Sequence, residues 1–146
     1  MIVRSKAWHI CVSSLVFFVV CQISTLALLP KTLVCNSGIS FSINIPVFVL
    51  IPAIIISLFF IAGTLQAMLH GKTLGHLAIL GGSLVFGGAF SNITDRLFRG
   101  CVPDFFHIFF FPTFNVADMG ISMGAILLLI PMFQKDKETN NPVKKF

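Results

Sequence analysis

Three acidic residues follow one another at short spacing in the second half of the chain: Asp95, Asp104 and Asp118. The other two acids, Asp136 and Glu138, belong to a polar tail. Two carboxylates held close together cannot both ionise easily, so such a pair shares a proton. The ionised member can take a proton from water, while the protonated member donates a hydrogen bond to a carbonyl. This is the chemistry of an aspartic protease, and it uses no metal ion, nucleophilic serine or cofactor.

Each of these acids also has a structural interpretation. Asn115 and Asp118 have the spacing of a capping box at a helix N-terminus. Asp104 could pair with a nearby arginine, and Asp95, which opposes the macrodipole at the end of a helix, could be held in an ion pair in the same way. Of the two acids that the protease interpretation uses, Asp118 is favoured as the base, because a helix N-terminus stabilises the charged form of a carboxyl group.

The composition predicts that these acids are positioned by membrane-spanning helices. Hydrophobic residues make up 56% of the 146 residues and charged residues 10%, whereas soluble domains carry about 25% charge. This excludes a soluble enzyme, a disordered tail and, despite a net charge of +5, a nucleic-acid-binding protein. Four apolar stretches reach the length that a span needs. They predict a single all-α membrane domain over 1–146, with spans at about 8–29, 46–69, 77–94 and 116–133 and a tail at 134–146.

The first stretch could instead be a cleaved signal peptide, but it is longer than the usual apolar region of one. Lys and Arg number seven in the N-terminus, the 70–76 turn and the tail, against three in the 30–45 and 95–115 segments. The positive-inside rule therefore predicts cytoplasmic termini and an extracytoplasmic location for the acids. Cys35 and Cys101 fall in loops on that side and could form a disulfide. The cysteine spacing does not fit a zinc site.

Two further patterns concern packing and the membrane surface. Gly81 and Gly88 share one face of the third span, and Gly120 and Gly124 form a GxxxG pair in the fourth, so these helices are expected to approach closely. The segment 105–111 is rich in phenylalanine. It could be a reentrant or interfacial segment that touches lipid or the acyl chains of a substrate, or an ordinary aromatic interface belt.

The chain contains four short motifs: GGAFSNITDR, VPDF, FNVAD and NSGISFS. Together they resemble motifs of the lipoprotein signal peptidase (signal peptidase II) family. Gly87–Arg96 reads GGAFSNITDR and is similar to the family's GGALGNxxDR box. Val102–Phe105 (VPDF) resembles its VVDF box, Phe114–Asp118 (FNVAD) its FNxAD box, and Asn36–Ser42 (NSGISFS) its NTGAAFS motif. The likeness covers the chain from about residue 36 to 130.

The resemblance implies a function for these positions. Asp104 and Asp118 would be the catalytic pair of an intramembrane aspartic endopeptidase. The supporting or substrate-binding residues would be Asn36, Asn92, Asp95, Arg96 and Asn115. Such an enzyme cuts prolipoproteins before a cysteine that carries a diacylglyceryl group, lies in the bacterial cytoplasmic (inner) membrane and is inhibited by globomycin. We expect prolipoproteins and membrane lipid as partners, no nucleic acid, no metal or cofactor, and a monomer.

The chain also departs from the family pattern. A DQxxK motif usually ends the first span, whereas Cys21–Thr25 reads CQIST. The loop from there to Asn36 and the stretch between Asp104 and Asp118 are short, and Pro103 replaces a valine. We therefore expect four transmembrane helices with a small, reduced extracytoplasmic β/loop region. Two alternative functions stay open: a non-catalytic homologue that binds lipidated peptides, and a small proton or ion transport protein that uses the same acids.

Overall fold

The computed structural model describes residues 2–37 and 75–139 and, between them, scattered residues from 48 to 63. The described elements are helix α1 (Ile2–Leu28), a 3-10 turn (Leu29–Lys31), strand β1 (Val34–Asn36), helix α2 (Gly75–Arg99), strand β2 (Val102–Asp104) and helix α3 (Val116–Thr139). Most of the predicted span 46–69 lies outside the described residues. Those that are described within it, such as Phe48, Ile55 and Phe59, are helical.

Two helices in the described part of the chain are long and apolar enough to cross a membrane. They cover Ala7–Lys31 and His76–Arg99, and the apolar part of α3, Val116–Ile130, is shorter. Large apolar side chains on α1, including Leu15, Ile23 and Leu26, are exposed on the protein surface. A helix with such a surface is suited to contact with lipid rather than with water.

Helix α2 lies between α1 and α3, and glycines allow its close approach to α3. A Cβ atom added to Gly88 would lie 2.7 Å from the backbone oxygen of Ala117, and one added to Gly124 would lie 2.6 Å from the backbone oxygen of Gly81. Both distances are shorter than any normal carbon contact, so the two backbones touch where side chains would otherwise separate them. The predicted role of these glycines in helix packing is confirmed.

The ends of α2 and α3 differ from the predicted span ends. Helix α2 continues beyond the predicted end at 94 to Arg99, so that Asp95 and Arg96 lie within the helix. Gly100, with φ of +78°, then ends it in the left-handed conformation that glycine adopts most readily. Helix α3 continues beyond 133 to Thr139. Hydropathy marks the part of a helix that suits lipid, and the hydrogen-bonded helix extends past it.

The strands form a small antiparallel sheet directly after α1 and α2. Val34 pairs with Asp104, and Asn36 with Val102. A disulfide joins Cys35 in β1 to Cys101, the residue directly before β2, with a Cα–Cα distance of 5.5 Å. A sheet of two short strands is marginally stable by itself. The cross-link therefore holds β1 beside the strand that ends in Asp104.

Candidate active site

The site forms where the end of β2 meets the first turn of α3. Asp104 is the last residue of β2 and is only 1% exposed. Asp118 lies in the first turn of α3. The two carboxyl groups, 14 positions apart in the sequence, thus belong to different elements and depend on the packing of both.

Two asparagine side chains connect the carboxyl groups. Nδ2 of Asn92, on α2, donates a hydrogen bond to Oδ1 of Asp118 at 2.8 Å. Nδ2 of Asn115 donates to Oδ1 of Asn92 and to Oδ1 of Asp104, each at 3.2 Å. Because an amide NH₂ group can only donate, these contacts occupy one oxygen of each carboxyl group and fix its orientation.

Asn115 and Asp118 also form the predicted capping box. Oδ1 of Asn115 accepts a hydrogen bond from the backbone N–H of Asp118 at 3.0 Å. In return, Oδ2 of Asp118 accepts one from the backbone N–H of Asn115 at 3.2 Å. The structural interpretation of Asp118 is therefore confirmed. The same contacts also hold its carboxylate beside the positive end of the α3 dipole, which stabilises its charge.

Asp104 lies in an environment that favours its protonated form. Burial, followed by the nearby negative charge of Asp118, raises the pKa of Asp104 from 3.8 to about 6. Hydrogen bonds from Asn36, Asn115 and Thr113 act in the opposite direction, because donors stabilise a charged carboxylate. Nδ2 of Asn36 and Oγ1 of Thr113 each lie 3.4 Å from Oδ2 of Asp104. Amide and hydroxyl donors thus contact both oxygens of this carboxyl group.

Asp95 has a different environment from the other two acids. It is 2% exposed and forms an ion pair with Arg99, one turn further along α2. Its Oδ1 also accepts a hydrogen bond at 3.4 Å from Nε2 of Gln22 on α1, and the same Nε2 donates to Oγ of Ser91 at 3.0 Å. The ion pair expected for Asp95 is therefore confirmed. The hydrogen bonds of Gln22, the one residue of the DQxxK motif that this chain keeps, join α1 to α2.

The positive charge of Arg96, on α2, acts on the acids of the site. Its Nη1 donates to the backbone oxygen of Asn92 at 3.3 Å. The guanidinium group also interacts electrostatically with Asp118 and Asp104. A positive charge in this position offsets part of the repulsion between the two carboxylates.

A cavity of about 420 Å³ opens beside Asp118. Its walls come from the loop before α3 and from the first two turns of that helix, and they include Phe111, Met119 and Ile121. The arrangement therefore places a carboxyl group at the edge of a partly apolar space that could receive an extended chain.

The structure brings together most of the site residues proposed from the sequence. Asn36 contacts Asp104, Asn92 contacts Asp118, and Asn115 contacts both carboxyl groups. Asp95 instead faces α1. Sequence reasoning missed Thr113 and the part played by Gln22. Thr113 directly precedes the FNVAD motif, but a single hydroxyl residue gives no signal of its own.

A family model and individual relatives point to the same protein family. The model of the family described as "Signal peptidase (SPase) II" matches residues 5–134. The lipoprotein signal peptidase of Rickettsia bellii is 40% identical over 82 residues, which cover 53% of this chain and 41% of that protein. The lipoprotein signal peptidase of Acinetobacter baylyi is 47% identical over 60 residues, which cover 38% of this chain and 34% of that protein. The matches thus span about two fifths or less of the length of these relatives.

A solved structure shares the fold. It is described as a bacterial membrane enzyme structure obtained by the in meso method at 2.3 Å resolution. The TM-score is 0.67, with 94% of each chain covered and 22% sequence identity.

Proposed function

This chain belongs to the signal peptidase II family, and we propose that it is an intramembrane aspartic endopeptidase that removes signal peptides from prolipoproteins. The observation that carries the proposal is the amide-linked pair Asp104 and Asp118, one buried with a raised pKa and the other at a helix N-terminus. This asymmetry is what a pair of carboxyl groups needs to act as acid and base.

In the proposed mechanism, Asp118 is ionised and removes a proton from the attacking water. Asp104 is protonated and donates a hydrogen bond to the carbonyl oxygen of the scissile bond, where negative charge develops. The capping box and Asn92 support this assignment, because their N–H donors stabilise the charge of Asp118. Protons in such a pair belong to the pair as a whole, so its titration reports one shared proton.

The proposed substrate is a prolipoprotein whose cysteine carries a diacylglyceryl group, and the cut lies directly before that cysteine. The names of the matched relatives support the substrate class. The cavity beside Asp118 supports it as well, since Met119 and Ile121 give it an apolar wall along α3. Such a wall suits a substrate that is itself held in the membrane.

We propose the bacterial cytoplasmic membrane as the location, with cytoplasmic termini and an extracytoplasmic site. The disulfide between Cys35 and Cys101 supports this orientation, because disulfides persist in oxidising compartments outside the cytoplasm. The cross-link adjoins the small sheet that contains Asp104. We expect the protein to act as a monomer, because both carboxyl groups come from one chain.

The proposal is tested by cleavage of a diacylglyceryl-modified prolipoprotein by the purified protein, with and without globomycin. Asp104→Asn and Asp118→Asn should each reduce turnover by about 10²–10⁴-fold, the usual contribution of a general acid or base. Asp136→Asn is the matched control, because it makes the same change some 18 residues further along α3, about 27 Å from Asp118.

Cleavage by the wild type and by Asp136→Asn, blocked by globomycin, would support the proposal. A folded wild type that binds the lipidated substrate without cutting it would instead identify a non-catalytic homologue. Wild-type turnover in either Asp104→Asn or Asp118→Asn would refute the mechanism.

A further inference from the structure

Residues 106–114 form a closed loop between the two carboxyl groups, which we call the aromatic tongue. Its base is closed by two backbone hydrogen bonds between Phe106 and Phe114, both 3.0 Å long. The rings of these two residues also pack, with centroids 5.7 Å apart. At its apex the N–H of Phe111 donates to the oxygen of Ile108 at 2.8 Å, which defines a tight turn. The tongue is therefore an ordered structure with a defined apex, Ile108–Phe111.

The apex presents its apolar side chains on the protein surface. The exposed fractions are 87% for Phe109, 99% for Phe110 and 69% for Phe111. Phe109 has φ of +40°, a left-handed conformation that costs free energy for a bulky residue. A contiguous apolar patch of this kind marks an interaction surface.

The position of the tongue indicates which partner covers this surface. Phe111 lines the same cavity as Ile121 and Ser122, which lie five and six residues after the start of α3. The tongue therefore lies alongside the first turns of that helix, at the depth of its apolar part. At the same end, Leu97 and Phe98 of α2 are 63% and 83% exposed. Exposed apolar side chains are thus present on both the tongue and α2 at this end of the helix bundle.

We propose that the apex of the aromatic tongue inserts into the lipid bilayer at the end of the helix bundle that carries Asp104 and Asp118. Aromatic side chains are favoured at the boundary between acyl chains and headgroups. Because the tongue begins two residues after Asp104 and ends directly before Asn115, its insertion fixes the depth of both carboxyl groups in the membrane. The inference depends on membrane embedding and not on the proposed peptidase activity.

The chain contains a single tryptophan, Trp8, which allows a direct test. In a Trp8→Phe background, Phe110→Trp places the only indole at the apex, and the protein is reconstituted in phosphatidylcholine vesicles. Brominated phosphatidylcholine should quench its fluorescence, and the emission should be blue-shifted and protected from acrylamide. Ile108→Trp should behave in the same way. Phe98→Trp provides a positive control on the surface of α2.

The opposite result would overturn the inference. In that case the Phe110→Trp indole would show emission typical of water. Acrylamide would quench its fluorescence and brominated lipid would not, whereas brominated lipid would still quench Phe98→Trp. An indole that is shielded only after prolipoprotein is added would also overturn it, because the apex would then contact the substrate and not the bilayer. Fluorescence is independent of turnover, so a failed peptidase assay leaves this result interpretable.

Discussion

Removing one hydrogen-bond donor to Asp104 should shift the pH dependence of the proposed peptidase activity in a defined direction. Nδ2 of Asn36 lies 3.4 Å from Oδ2 of Asp104 and stabilises the ionised carboxylate. In Asn36→Ala this donor is lost, so the pKa of Asp104 should rise further above its ordinary value. If the protonated form of Asp104 is the acid of the reaction, the mutant should stay active to higher pH than the wild type.

The size of the shift can be worked out from the structure. With the pKa of Asp104 at about 6, about one tenth of the molecules hold the proton at pH 7. A hydrogen bond to a charged group contributes about 1.5–3 kcal/mol. The contact here is long and shares its acceptor with Thr113, so about 1 kcal/mol is a reasonable value. This corresponds to about 0.7 pH unit, and it raises the protonated fraction at pH 7 to about one third.

The assay is kcat/KM against pH, from about pH 5 to about pH 8, for wild type and Asn36→Ala. We expect the wild-type activity to decline above about pH 6 and the decline of the mutant to begin about 0.7 pH unit higher. Thr32→Ala is the control, since the Thr32 hydroxyl bonds the backbone oxygen of Leu29 at 2.7 Å. A decline that stays in place or moves to lower pH in Asn36→Ala would refute the reasoning, as would wild-type activity that is constant up to about pH 8.

Two further predictions concern the packing that holds the site. In Gly88→Ala the added Cβ would meet the backbone oxygen of Ala117 at 2.7 Å, so the first turn of α3 should move away from α2 and kcat/KM should fall by at least about tenfold. Gly63→Ala, where no atom of the described residues lies within 4 Å of the added Cβ, should leave activity unchanged. Cys35→Ser removes a disulfide between residues 66 positions apart in the sequence. The unfolded chain then gains conformational entropy, so the protein should lose about 4 kcal/mol of stability and its Tm in detergent should fall.

Each of these predictions has a clear contrary outcome. Equal activity of Gly88→Ala and Gly63→Ala would show that the contact between α2 and α3 does not position the carboxyl groups. For the disulfide, a reducing agent should lower the Tm of the wild type to that of Cys35→Ser and should leave the mutant unchanged. A wild type whose Tm does not respond to reduction would contradict the stabilising role.

Several features follow from local sequence because their causes are local. A long apolar stretch is suited to lipid wherever it occurs, so α1 and α2 could be predicted from composition alone. The capping box needs only Asn115 and Asp118 at the right spacing, since one helical turn brings them together. The end of α2 also has a local cause, because Gly100 readily adopts the left-handed conformation that ends a helix. Hydropathy alone placed this end too early, at residue 94.

Other features depend on contacts between distant parts of the chain. Asn36 reaches Asp104 only because β1 pairs with β2 in one register, 68 residues away in sequence. Asp95 is also an aspartate, but its carboxyl group contacts Gln22 and Arg99 and not the catalytic pair proposed above. The sequence motifs gave Asp104 a catalytic role and Asp95 a supporting one, but they did not show which side chains each carboxyl group contacts.

The sequence by itself determined which residues could form a carboxyl pair and that long apolar helices would precede and follow the segment that holds them. Only the tertiary structure decided how the two carboxyl groups differ. Burial and the charge of Asp118 raise the pKa of Asp104, and both effects arise from packing between elements that are separate in the chain. The proton affinity of a carboxyl group depends on the solvent and charges around it, and those are fixed only when the chain has folded.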